Sequence, residues 1–75
     1  MMRINDITAA DLVANRRSEF RAMVKDPVFA IYNREPVTAA RESAYITRAL
    51  ETMIPMNRHN PAALAMINEA IALVA

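Results

Sequence analysis

TAADLVANRRSEFRAMVKDP, residues 8–27, holds both ends of a helix within one stretch. Thr8 with Asp11 three positions on is a capping-box pattern, Asp standing in for the usual Glu. Ile7 and Leu12 occupy the two positions of a hydrophobic staple. Pro27 disfavours helical geometry at Asp26, so the stretch predicts a helix from Ala9 to about Lys25. At about 100° per residue, Leu12, Val13, Phe20, Met23 and Val24 fall on one face. Arg16 lies near the middle of that face, where a charge is out of place.

The same grammar extends along the chain. Four prolines, Pro27, Pro36, Pro55 and Pro61, divide it into segments. Asp26-Pro27 is itself a start signal, a cap residue followed by proline at the first helical position. It predicts a short helix to about Asn33, with Val28, Phe29, Ile31 and Tyr32 as an apolar plug for the core. Asn33, in a left-handed conformation, would close it. A third segment is expected from Pro36 to about Met53, with Ala39, Ile46, Ala49, Leu50 and Met53 turned inward. Pro55 to Asn60 reads as a loop. Asn60-Pro61 repeats the start signal and opens a last helix to about Val74. No segment alternates as a strand does. The predicted fold is all-α, a compact bundle of three main helices and one short one, in a single domain spanning 1–75.

Composition narrows function by exclusion. At 75 residues the chain buries a modest share of its surface, so its stability margin is thin. It has no Cys and one His, which removes disulfides, thiolate sites and His-rich zinc sites. It has no Gly, which removes phosphate-cradling loops and the nucleophile elbow. No apolar run approaches the ~20 residues of a membrane span. No apolar leader is visible at the N-terminus, and a cytoplasmic location is the expectation. Net charge is +1, short of the basic excess usual in a non-specific nucleic-acid binder. No nucleophile stands beside a base, and the carboxylates are scattered, so no catalytic residues, metal ligands or cofactor are expected.

Two constellations remain. The last helix is apolar nearly all round, with only Asn68 and Glu69 polar between Ala62 and Ala75. Leu64, Ile67, Ile71 and Val74 form its natural inward ridge; Met66 and Leu73 form a second, outward one. Such a helix buries more than one side, which points to a partner. The interface candidates are Leu64, Met66, Ile67, Ala70 and Leu73, with Arg16 either snorkelling beside Glu19 or paired across an interface. The second constellation is Arg41, Tyr45, Arg48 and Thr52, spaced along one side of the third helix opposite the core stripe. It reads either as a solvated face with arginine stems over the tyrosine ring, or as an anion site with the arginines on phosphate and the tyrosine stacked on a base or supplying a hydroxyl. Arg58 and His59 precede the last helix in a loop. A helix-turn-helix is disfavoured, because Pro61-Ala62-Ala63-Leu64 offers nothing that reads a base.

The expectation is therefore a small non-catalytic interaction module. It would self-associate or dock on a larger protein through its last helix, without a membrane. By analogy of size and composition it belongs with accessory or host-modulating proteins of the phage or plasmid type. The alternative is binding of nucleic acid or a small phosphorylated ligand on the Arg41, Tyr45 and Arg48 face.

Overall fold

A computed structural model describes residues 7–75, and within them every regular element is helical. Most of the N-terminal segment read above for a leader lies outside the described residues. Helix α1 spans Ala9–Lys25, α2 Pro27–Tyr32, α3 Ala39–Glu51 and α4 Pro61–Val74, with a 3-10 turn at Pro55–Asn57 before α4. The three long helices pack against one another in all three pairings, giving a compact all-α bundle.

The α1 capping box forms as its sequence implies. Asp11 N–H donates to Thr8 Oγ1 at 3.2 Å, and Thr8 N–H donates to Asp11 Oδ2 at 2.9 Å. A hydroxyl cap of this kind contributes about 0.5–2 kcal/mol. Asp26 caps α2 by accepting from Val28 N–H at 2.8 Å, and Asn60 caps α4 by accepting from Ala63 N–H at 3.1 Å. Both precede a proline whose missing N–H would have had no partner there.

The third helix departs from its prediction. It begins at Ala39 rather than Pro36, because Thr38 supplies the cap, accepting from Arg41 N–H at 3.1 Å. Glu35, unlike Asp26 and Asn60, is not among the short side chains that favour the cap position, so proline alone does not start the helix. Ala39 is exposed, not inward as its stripe suggested. The helix ends at Glu51 and is followed by turns that lead into Pro55. Asn33 is another correction. It closes α2 in extended geometry (φ −77°, ψ 122°), with no left-handed residue among those described.

The core is small. Ala9 and Val13 of α1, Ile46 and Leu50 of α3, and Ile67 and Ala70 of α4 form its buried centre. Phe20 is also buried, and its ring meets Tyr45 at 5.3 Å between centroids, tilted by 50°. The buried centre of α4 runs through Ile67, on the expected inward ridge, and Ala70, between that ridge and the outward one. Ala70 lets the neighbouring helices come close, so Ile71 and Val74 flank the centre with Met66 and pack against it. Met66 is thus half-buried in the chain's own core rather than outward, while Leu73 does face solvent.

The largest departure is α2. None of its residues is buried. Val28, Ile31 and Tyr32 are 59%, 71% and 78% exposed, so the helix does not plug the core. Its backbone packs against α1 alone. The radius of gyration is 13.9 Å, against about 11 Å for a compact chain of this length.

Candidate functional site

Arg16 is half-buried on the apolar face of α1, and its charge is satisfied within its own helix. Its Nη1 donates to both Glu19 carboxylate oxygens, at 2.7 and 2.9 Å. Its Nη2 lies 3.9 Å from the Met53 sulfur, and its Nε is buried without a partner. This is the snorkelling arrangement, with the stem on apolar surface and the head paired at the edge.

The Arg41, Tyr45, Arg48 and Thr52 stripe is not brought together as one surface. Tyr45 turns inward onto Phe20 and packs against the core. Arg41 folds back over the α2–α3 connection. Its Nη1 donates to Asn33 Oδ1 at 2.6 Å, to the Glu35 carbonyl at 3.0 Å and to the Pro36 carbonyl at 3.4 Å. Its guanidinium also stands 5.4 Å from the Phe29 ring centroid. These bonds tie down the connection, and Asn33 Nδ2 adds another to the Glu35 carbonyl at 2.6 Å. Arg48 and Thr52 are exposed, and the Thr52 hydroxyl donates to the Ala49 carbonyl at 2.7 Å. The register that put the four on one side was sound in spacing, but Tyr45 sits at the margin of the core stripe, where an aromatic gains more from burial than from water.

Four of the carboxylates are committed to the fold. Asp11 and Asp26 cap helices, and Glu19 holds Arg16. Glu42 receives Arg17 Nε at 2.9 Å and Arg21 Nε at 3.3 Å, joining α3 to α1. Burial pushes the Glu42 carboxyl up, but hydrogen bonds from Arg21 and Arg17, with their charges, outweigh it and hold the group below the ordinary glutamate range. The sign follows from linkage. A depressed carboxylate contributes fully above its unfolded value, and the contribution is lost as pH falls through the folded one. The effect is small, because Arg21 is largely, and Arg17 partly, in solvent. Glu42→Gln should lower the urea midpoint near neutral pH and converge with the parent in acid. A constant offset at every pH would show that ionisation of Glu42 is not the source.

His59 and Arg58 are exposed. Among the described residues, no three or more His, Cys, Asp and Glu side chains gather as a metal site would need. No helix there is long and apolar enough to cross a membrane.

Two apolar features are left. One is α2, with Val28, Ile31 and Tyr32 in water and Val37 beyond it 47% exposed. The other is a groove of about 320 Å³ where the N-terminal ends of α1 and α4 meet the end of α3, lined chiefly by Ile7, Leu12, Met53, Ala63, Met66 and Ile67. Periodicity foresaw neither. The signal for α2 was its density of large apolar residues in a segment too short to reach a second helix. The groove had no such signal, because Met53 and Met66 meet the Ile7 and Leu12 staple only through the packing of the helices. Compared with known protein families, curated proteins and solved structures, the chain matches none of them.

Proposed function

We propose that this chain is a non-catalytic protein-interaction module whose principal contact surface is α2. The observation that supports this reading is the exposure of Val28, Ile31 and Tyr32 on the six-residue helix that follows α1. Burying a side chain of this size is worth about 1.5–3 kcal/mol, and in the isolated chain that gain goes largely unrealised. Scattered exposed apolar residues are ordinary, whereas a contiguous set on one short element marks a contact surface. The C-terminal helix keeps a part in the reading, since Ala63, Met66 and Ile67 line the groove and Leu73 is 58% exposed. The commitment of Asp11, Asp26, Glu19 and Glu42 to caps and ion pairs supports a non-catalytic role.

The test is the triple variant V28S/I31S/Y32S. Its circular dichroism should match the parent, and its stability should change little, since exposed substitutions are usually within about 0.5 kcal/mol each. The assemblies recovered with a tagged parent chain from its native cells should be missing from the variant. A folded variant that recovers the same assemblies would remove α2 as the contact surface.

A further inference from the structure

We infer that Met53 is a site of reversible oxidation by peroxide, and that the Arg16 guanidinium receives the sulfoxide oxygen. The inference is independent of α2 and of its partner.

The Arg16 guanidinium is satisfied on one side only. Its Nη1 is given to the Glu19 carboxylate, at 2.7 and 2.9 Å. Nε and Nη2 form another edge of the planar fork, and their N–H groups point the same way. Nη2 stands 3.9 Å from the Met53 sulfur, and Nε, closed off from solvent, has no partner among the described residues. Arginine keeps its charge and all its donors, while a thioether is a weak acceptor. This edge is therefore under-satisfied, and a buried donor left unmet is unfavourable.

A sulfoxide oxygen on Met53 supplies the missing acceptor. An N–H···O bond spans about 2.9 Å between heavy atoms. The sulfur–oxygen bond, set at an angle to it, takes up the rest of the 3.9 Å between sulfur and Nη2. The oxygen then accepts from Nη2 and Nε together, a charge-assisted pair of bonds. Methionine is unbranched and turns about its terminal bonds, so an oxygen added from outside swings to the guanidinium. Oxidation of a half-buried methionine ordinarily disturbs packing by making it polar. At Met53 the polar atom has a donor ready for it.

The sulfur is open to a small oxidant. Met53 is half-buried and lines the groove of about 320 Å³, which opens to solvent. A sulfur lone pair attacks one oxygen of hydrogen peroxide and the O–O bond breaks. The proton on the transferred oxygen passes to the departing hydroxide, which leaves as water. The sulfur gives up two electrons and the peroxide takes them. Methionine sulfoxide reductases return the sulfoxide to the thioether, so the modification is reversible. With six methionines and no cysteine, the chain has no sulfur chemistry other than this.

The test treats the full chain with hydrogen peroxide and maps the sulfoxides by mass spectrometry of its peptides. Met56, 78% exposed, is the internal reference. Met53 should oxidise in the native chain after Met56, with helical content unchanged. A Met53→Leu chain treated alike cancels the other methionines, since the swap conserves volume. The change in urea midpoint due to Met53 is the parent's change less that of this chain. It should show no fall in the parent and a clear fall in an Arg16→Leu background, which lacks the donors. A second measurement needs no substitution at Arg16. Exchange of the Arg16 Nε–H with water, followed by NMR, should slow by roughly tenfold or more on oxidation, the scale of a charge-assisted bond. A Met53 that resists peroxide until the chain is unfolded would overturn the site. An equal fall with and without Arg16, or an unchanged Nε–H exchange, would overturn Arg16 as the receiver of the oxygen.

Discussion

Leu50→Ala should lower the unfolding free energy by about 2–5 kcal/mol, the range for deleting a buried leucine side chain. Leu50 is fully buried on α3, in the cluster that joins α1 and α4. Two members of that cluster, Ala9 and Ala70, are too short to swing into the space left behind. The cavity term should therefore add to the lost transfer energy rather than relax away. A chain of this length has a total stability of about 4–11 kcal/mol, so the substitution removes a large share of it. The melting temperature should fall by at least about 8 °C in a domain this small. Urea unfolding followed by circular dichroism measures both. A loss under about 1 kcal/mol would show that the three helices do not meet at Leu50.

Phe20→Ala should cost about 3–5 kcal/mol. Phe20 is buried outside the main cluster, in the second half of α1, where its ring meets Tyr45 of α3. The pair fastens α1 to α3 beyond Val13 and Ile46, and α2 follows directly from that half of α1. Truncating the ring removes apolar burial and the tilted ring contact together. A double-mutant cycle with Tyr45→Ala separates them, and the coupling should be about 0.5–1.5 kcal/mol. Coupling near zero would mean that Tyr45 packs there without drawing on Phe20. The same measurement bears on the anion alternative, because a tyrosine held in the core is not available to stack on a base.

Local chemistry alone determined where most helices start and stop. Thr8 with Asp11, Asp26 with Pro27 and Asn60 with Pro61 each satisfy orphan N–H groups within a few residues, so the bounds of α1 and α4 are written in short-range sequence. The exception, α3, follows the same rule: Glu35 before Pro36 is no cap, and the helix waits for Thr38. The inward positions of Val13, Phe20, Ile46, Leu50 and Ile67 were likewise legible from helical periodicity. What periodicity could not assign was the fate of residues at the margins of a stripe. Met66 and Tyr45 lie where a small rotation of the helix sends a side chain into the core or out of it. That rotation is set by how closely the helices approach, and here by Ala70, which lets the bundle close on the middle of α4. Arg41 was legible as a free cation and is instead held by carbonyls of a connection whose path only the packed helices define. The exposure of α2 is the clearest case. Its apolar residues read as core, but three longer helices already surround the available centre. A six-residue helix at the end of α1 is then left outside, with Arg41 over Phe29 and with Val28, Ile31 and Tyr32 in water.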